Sequence, residues 1–267
     1  MTVFDGLESL GFSLPAVENV FTDNAKKQSG AKQEAKNEES NKPPDLREFL
    51  YEKAYECSAC GNQFNNTTAK KGKLRFESSE IDLRPVYTPI DPIYYDVVLC
   101  KKCGYAAMQQ YFNKISDRQG ELIMSQIGTS FRFSGYPLIL SADQAIERYK
   151  LALLTAMTKN STSGEKAIIC MRLTWLYRDK NDENNVRLFL QNTYKGLSEA
   201  YTKDTFPIGG IDEVTTAYLI GEMAFRLGDH GGSLKWLGGV ITNRNASPRL
   251  KEKAQEIRDK IRDSKPE

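Results

Sequence analysis

Apolar residues recur at helical spacing over the second half of the chain, from residue 142 onward. They fall at i, i+3, i+4 and i+7, the period of an amphipathic α-helix packed on a core. The pattern predicts about six helices, with Ser163 and Asp212 as N-caps and a charged last helix over Ser247 to Arg262. The expected buried faces are Ala145, Tyr149, Ala152, Leu153 and Ala156 in one helix, Ala167, Cys170, Met171 and Thr174 in the next, and Val214, Ala217, Tyr218, Gly221 and Phe225 in a later one.

Two stretches of this helical region resemble each other. Tyr177 to Asp182 and Ala224 to Asp229 each precede a predicted helix, and they lie 47 positions apart. Such a period is typical of stacked helix hairpins, here with a long connection through Thr205 to Gly210. We therefore expect an all-α, tetratricopeptide-like domain. Four aromatic side chains are candidates either for a partner-binding face or for the core between helices, namely Trp175, Tyr194, Tyr201 and Trp236.

Between Tyr51 and Phe112 the pattern changes to strands and turns. β-Branched and aromatic residues alternate with glycine, asparagine and proline, which favours short strands over helices. The predictions are a strand, turn and strand over Tyr55 to Phe64, a short strand over Gly72 to Phe76 and a strand over Tyr94 to Cys100. The connection before the last strand is expected to be a loop because it contains Pro85, Pro89 and Pro92.

Four of the five cysteines form two Cys-x-x-Cys-Gly motifs. The first holds Cys57 and Cys60, and the second holds Cys100 and Cys103. Two thiolates separated by two residues can bind one metal ion when the chain between them makes a tight turn, and the glycine that follows can take positive φ there. We therefore predict one metal site with four cysteine ligands. The 39 residues between the pairs exceed the usual zinc-ribbon separation of about 15 to 20.

The chemistry of this site has three alternatives: one structural zinc ion per chain, a redox dithiol, or iron in the same cage. We predict zinc, with iron less favoured. A thioredoxin-like dithiol opens a helix in a βαβ unit, unlike the region around Cys57. A catalytic zinc keeps an open position and usually has a histidine ligand, whereas the one histidine, His230, is far away in sequence. Lys101 and Lys102 are expected to offset part of the thiolate charge.

The remaining segments complete the predicted organisation. Near the N-terminus, Phe4, Leu7, Leu10 and Phe12 form an apolar patch that is either a docking peptide, for this protein or another, or a frayed terminus. The fold class is α+β, a small β-rich four-cysteine domain followed by helix hairpins. The expected units are a short N-terminal segment over 1–21, a polar disordered linker over 22–45, a zinc-ribbon-like domain over 46–115, a connection over 116–141 and the helical domain over 142–267.

Charge and composition limit the classes of partner and the location that the protein is expected to have. The net charge of +2 comes from 37 basic and 35 acidic residues, so no overall field attracts a polyanion or a membrane. One basic cluster, Lys70 to Arg75, lies beside acidic residues and is either a solvated face or a phosphate track. No apolar run is long enough to span a membrane, and acidic Asp5 and Glu8 stand where a signal peptide needs positive charge, so we expect a cytoplasmic protein.

Catalytic motifs are missing from the sequence. It has no glycine-rich phosphate loop, no Gly-x-Ser-x-Gly elbow and no His-Glu-x-x-His motif. Cys170 is expected to be a small core residue, and His230 to lie in the first turn of a helix. We therefore expect a non-enzymatic scaffold or adaptor that presents a helical groove to a protein or peptide. The alternatives are a nucleic-acid- or ribosome-associated zinc-ribbon protein and an enzyme with a structural zinc.

Several stretches resemble one bacterial family. YECSACGNQF, DLRPVYTPIDPIYYDVVLCKKCGYAA, AIERYKLALL and KAIICMRLTWLYR are similar to the uncharacterised family called domain of unknown function 2225, over about Leu46 to Asn243. The resemblance implies two Cys-x-x-Cys pairs, matching Cys57, Cys60, Cys100 and Cys103, and a tetratricopeptide-like C-terminal part. Here the second pair reads Cys-Lys-Lys-Cys where many relatives have Cys-Pro-x-Cys. The family implies no activity.

Overall fold

The computed structural model describes residues 2–21 and 45–263. The linker predicted over 22–45 lies outside the described residues, apart from Asp45. The side chain of Asp45 accepts a hydrogen bond from the N–H of Arg47 at 3.0 Å. It therefore begins a 3-10 turn that leads directly into the first strand.

Three two-stranded antiparallel sheets make up the part of the chain that carries the four paired cysteines. The predicted strand, turn and strand over Tyr55 to Phe64 is confirmed, because these two residues pair across the first sheet. The strands are β1 (Leu50–Glu56) with β2 (Gln63–Ala69), β3 (Arg75–Ser79) with β4 (Pro85–Thr88), and β5 (Val97–Leu99) with β6 (Ala106–Met108).

The other strand predictions are wrong in their bounds. The strand predicted over Gly72 to Phe76 begins only at Arg75, after a 3-10 turn. The strand predicted over Tyr94 to Cys100 shrinks to β5, because Pro92–Tyr95 forms a 3-10 turn. Asp91 accepts a hydrogen bond from the N–H of Ile93 at 2.9 Å, with Pro92 as the first residue of the turn. The predicted loop also contains β4, since proline is tolerated at the start of a strand.

Seven α-helices follow within the described residues. Six of them begin at or after residue 142, as predicted, which confirms a strand-rich part followed by a helical part. Their tetratricopeptide likeness stays a prediction. The helices are α1 (Asp117–Ile123), which continues as a π-helical turn over Met124–Gly128, then α2 (Ala142–Thr158), α3 (Ser163–Asp179), α4 (Glu183–Lys203), α5 (Glu213–Arg226), α6 (His230–Thr242) and α7 (Pro248–Asp263).

Aspartates at equivalent places of the two similar stretches begin helices. Asp182 caps α4 and Asp229 caps α6, each accepting a hydrogen bond from the backbone N–H three residues ahead, at 3.1 and 2.8 Å. Asp212 caps α5 in the same way, as predicted. The prediction of Ser163 as a cap is wrong by one position, because the side chain of Thr162 accepts the hydrogen bond instead. Side-chain capping therefore sets these helix starts.

The N-terminal segment packs on its own chain. Its apolar side chains are buried in the same core as the helices. The backbone N–H of Arg132 donates to the carbonyl of Leu10 at 2.8 Å. Phe21 lies against α4 where a Cβ on Gly196 would come within 2.3 Å of the ring, so a glycine is needed there. The buried residues of this segment are Val3, Phe4, Leu7, Leu10, Phe12, Val20 and Phe21.

The strand-rich part and the helical part share one apolar core. Polar contacts also join them. Arg84 in the β3–β4 connection forms ion pairs with Asp179 of α3 at 2.6 Å and with Asp91 at 2.8 Å. The Tyr218 hydroxyl of α5 donates to the carbonyl of Ile81 at 2.6 Å. Within residues 2–21 and 45–263, no helix combines the length and the apolar character needed to cross a lipid bilayer.

Candidate metal centre

Two turns of the same design carry the four cysteines. The turn between β1 and β2 holds Cys57 and Cys60, and the turn between β5 and β6 holds Cys100 and Cys103. In each turn, the N–H of the first cysteine donates to the carbonyl five residues ahead, at 2.9 Å, and the glycine N–H donates back to that cysteine's carbonyl, at 2.8 and 2.9 Å. The repeated hydrogen bonds give the two sulfur pairs the same local geometry.

The glycine after each pair is required by the backbone. Gly61 has φ 68° and Gly104 has φ 75°, both in the left-handed region that disfavours other residues. Gly61 has open space around the position of a Cβ, whereas a Cβ on Gly104 would lie 2.6 Å from the ring of Phe131. The positive φ expected from the motif is thus present in both turns, and only the second turn is also pressed against a neighbouring side chain.

The four sulfurs converge on one point. The ligand atoms of Cys57, Cys60, Cys100 and Cys103 all lie within 4.8 Å of one another. Across the two turns, the Cys57 and Cys103 sulfurs are 3.6 Å apart, and the Cys60 and Cys100 sulfurs are 3.7 Å apart. Four sulfurs held at about 2.3 Å from a central ion in a tetrahedron are separated by about 3.8 Å. The cage therefore has the size that a tetrahedral metal ion requires.

The thiols also interact strongly with one another. Contact with the Cys100 sulfur and burial raise the pKa of Cys57 to about 12, and contact with the Cys100 and Cys57 sulfurs raises the pKa of Cys103. Donation from Cys103 and Cys57 lowers the pKa of Cys100 to about 2. The sulfurs are thus too close together for all of them to be thiolates without a cation. A bound divalent cation would let all four ligands bind as thiolates.

The chain between the strands and α2 covers the cage. A Cβ on Gly120 of α1 would lie 3.6 Å from the Cα of Ala59, and a Cβ on Gly128 would lie 3.7 Å from the carbonyl oxygen of Cys103. Helix α1 and its π-helical turn therefore pack on both cysteine turns. Sequence reasoning treated 116–141 only as a connection. The missed signal was the capping box of Ser116 and Gln119 that begins α1.

A family comparison agrees with this geometry. The family model described as an uncharacterised protein conserved in bacteria, DUF2225, matches residues 50–263, which include both cysteine turns and all seven described helices. The chain belongs to this family. No curated protein and no solved structure matches the chain. The DUF2225 match begins at β1, so the N-terminal segment that packs on α4 lies outside it.

The predicted basic cluster lies on the surface of the DUF2225 region. Lys71, Lys73 and Arg75 are exposed, and Arg75 pairs with Glu77 at 3.3 Å. The lysines inside the second cysteine turn, Lys101 and Lys102, are exposed as well. None of these cations lies within the sulfur cage.

The aromatic candidates for a partner-binding face divide into buried and accessible side chains. Trp175 is 3% exposed and belongs to the core. Tyr201 and Trp236 are half-buried, meet edge to face with ring centroids 4.9 Å apart, and line a groove of about 360 Å³ between α4, α5 and α6. Tyr194 is half-buried. Cys170 is fully buried as predicted, and His230 is the first residue of α6, beside the Phe225 ring.

Proposed function

We propose that this protein is a cytosolic, non-enzymatic adaptor: zinc bound by Cys57, Cys60, Cys100 and Cys103 holds the strand-rich part together, and the helical part binds a protein or peptide. The observation that supports partner binding is the groove lined by Tyr201 and Trp236. All five cysteines are free thiols, which suits a reducing compartment.

The cage supports zinc as the metal and a structural role for it. Cys57, Cys100 and Cys103 are buried, and Cys60 is half-buried beneath the covering segment. Four thiolates complete a tetrahedral shell, which leaves no position for a water or a substrate. Tetrahedral sulfur cages hold zinc or iron, and divalent zinc binds a given site more tightly than divalent iron. Among the described residues, this is the one cluster of three or more potential metal ligands.

The groove has the composition of a peptide site. Val214, Ala217 and Val240 supply an apolar floor, while Tyr201 and Trp236 supply aromatic edges. Rigid aromatic side chains dominate the energy of many protein interfaces, because they bury a large area with few rotatable bonds. Glu213 and Lys235 lie at the same groove and offer one charge of each sign. An amphipathic peptide with an apolar anchor fits these features.

The helical part already holds one non-helical segment of its own chain. The Asn192 side chain of α4 accepts a hydrogen bond from the N–H of Val20 at 2.6 Å and donates to the carbonyl of Glu18 at 3.2 Å. One side-chain amide thus pairs with an N–H and a carbonyl of a bent backbone segment. This contact supports peptide recognition as a property of these helices, although it lies outside the Tyr201 groove.

The nucleic-acid alternative rests on a different surface. Phe76 is 49% exposed, packs edge to face on Tyr87 with ring centroids 5.7 Å apart, and directly follows exposed Arg75 in β3. An exposed ring in a hairpin that also carries exposed cations can stack on an unpaired base. This surface belongs to the β3–β4 hairpin and is separate from the groove, so the two functions can be distinguished by mutation.

The deciding experiment is affinity capture with the full metal-loaded chain. The adaptor proposal expects a protein partner that is retained from about 50 to 200 mM salt and lost in Trp236→Ala. Tyr51→Ala, an exposed tyrosine on β1, is the matched control and should retain the partner. Capture of RNA or DNA that disappears with salt, and that Phe76→Ala abolishes, would replace the adaptor with the nucleic-acid alternative. A partner that binds Trp236→Ala as tightly as the unchanged protein contradicts the groove.

A further inference from the structure

A small cavity beside the second cysteine turn has cations in its wall. It has a volume of about 30 Å³ and lies between α2, the β1–β2 sheet and the segment that precedes α2. Arg148 of α2 and Lys101 both line it. The polar neighbours that share the cavity are Asn66, Thr67 and Tyr136.

Arg148 is buried and forms no ion pair with a carboxylate among the described residues. It is 4% exposed, and its Nη2 donates to the Asn66 side-chain oxygen at 2.8 Å and to the carbonyl of Val97. Its Nε is buried and has no acceptor among the described residues. Burial lowers the pKa of Arg148 to about 10, and the titratable groups that act on it are the hydroxyls of Tyr136, Tyr149 and Tyr95. The guanidinium therefore stays protonated at neutral pH and keeps unused donors.

Two carboxylates near the cavity wall accept hydrogen bonds from groups other than Arg148 and Lys101. Glu147 accepts hydrogen bonds from the Tyr136 hydroxyl at 2.7 Å and from Ser9 at 2.9 Å. Glu52 accepts one from the Thr67 hydroxyl at 3.3 Å. In the described part of the chain, neither forms an ion pair with Arg148 or Lys101. Arg148 is thus a buried cation whose charge no described carboxylate neutralises, and exposed Lys101 adds a second positive charge at the cavity wall.

We propose that this cavity binds one small monovalent inorganic anion of the size of chloride, held by Arg148 and Lys101. Burying an unpaired cation is strongly unfavourable, and an anion in the cavity removes that penalty. The volume of about 30 Å³ corresponds to about one water-sized particle, which favours an ion of the size of chloride over the larger phosphate or sulfate. Lys101 also belongs to the second cysteine turn, so the bound anion lies beside the metal centre. The proposal does not depend on the adaptor function.

Anomalous diffraction with bromide tests the site directly. Crystals of the full metal-loaded chain soaked in sodium bromide should show an anomalous peak in the cavity, within hydrogen-bond distance of the Arg148 guanidinium. A water molecule in the cavity without an anomalous signal, at a bromide concentration that labels other surface sites, overturns the proposal.

Thermal unfolding in solution gives an independent test with a matched pair of variants. At fixed pH and ionic strength, the unfolding midpoint should rise with sodium chloride when it replaces sodium gluconate, whose anion is too large for the cavity. Arg148→Met can unfold the chain, so exposed Lys101→Met is the test variant and Lys102→Met, its neighbour outside the cavity wall, is the control. Lys101→Met should weaken the apparent chloride affinity at least about threefold and Lys102→Met should not. Equal effects of the two variants, or equal midpoints in chloride and gluconate, refute the site.

Discussion

The first hairpin strand, β1, and helix α3 bury their side chains to very different extents. In β1, one residue of seven is buried, and the strand pairs only with β2. In α3, twelve residues of seventeen are buried, between α2 and α4. An isolated two-stranded hairpin is at best marginally stable in water. The comparison indicates that the first hairpin needs a cross-link to the buried β5–β6 hairpin, whereas α3 is stabilised by apolar packing.

Removing a metal ligand should give the largest effect. Cys100→Ser is expected to lose the metal and unfold the cysteine turns, because structural zinc contributes about 10 to 16 kcal/mol in small peptides. Elemental analysis and near-ultraviolet circular dichroism measure the loss. Cys170→Ala, at the buried cysteine of α3, is the control and should keep about one zinc per chain. Unchanged protein without metal, with Cys57 and Cys60 joined as a disulfide, would support the redox alternative instead.

Shortening a core side chain in the helical part should lower the free energy of unfolding without releasing the metal. The Phe189 ring is fully buried and stacks on Tyr177 with centroids 5.4 Å apart. Phe189→Ala is expected to lower the free energy of unfolding by about 3 to 5 kcal/mol, while the folded protein retains its metal. Denaturant unfolding and elemental analysis measure the two quantities. Loss of metal from the folded variant in the absence of denaturant would contradict the separation of the two stabilising effects.

A glycine-to-alanine substitution in each cysteine turn compares how strongly the two turns affect metal affinity. Gly61→Ala should cost about 1 to 2 kcal/mol, because alanine disfavours the left-handed conformation. Gly104→Ala should cost about 1 to 3 kcal/mol more, since its Cβ also meets the Phe131 ring. Competition with a chelator measures both as losses of metal affinity. Equal losses would mean that the covering segment moves away without penalty.

The smallest expected effect is a pH dependence of stability that arises from a buried carboxylate where the strand-rich part meets the helical part. Glu222 of α5 is buried and pairs with Arg226, which also contacts Asp82 from the strand-rich part at 3.4 Å. Burial raises the pKa of Glu222 to about 7. The folded protein then binds more protons than the unfolded chain, so its stability falls as pH rises. Between pH 6 and 8 the loss is about 1.4 kcal/mol.

Two variants isolate this pH dependence. Glu222→Gln should abolish the fall in unfolding free energy between pH 6 and 8, because glutamine does not titrate. His230→Gln, at the one histidine of the chain, should retain it. Denaturant unfolding at several pH values, with zinc present throughout, measures the slope. A slope that follows His230 instead would remove Glu222 as its cause.

Local patterns in the sequence predicted most of the helical part and the composition of the cage. The 3.6-residue period located six helices, because each helix buries one continuous face. The cap at Asp212 was predicted because capping depends on side-chain hydrogen bonding within four residues, and Asp182 and Asp229, predicted only to precede helices, obey the same rule. The four cysteines were identified by spacing, since two thiolates on one tight turn suffice to define a metal-binding pair. These features depend on neighbours in sequence, and the sequence alone determined them.

Only the tertiary structure decided how distant segments meet. The spacing of the cysteines predicted one shared metal site, but the 39 residues between the pairs did not reveal that α1 covers it. The tyrosine-rich stretch before Cys100 reads as a strand, yet Tyr95 and its neighbours turn because their side chains are buried against α2 and its preceding segment. The sequence also did not decide whether Trp175 and Trp236 lie in the core or at the surface. Contacts between residues far apart in sequence decided the packing of α1 over the cysteines and the burial of the two tryptophans, whereas the turn at Tyr95 also has local signals in Asp91 and Pro92.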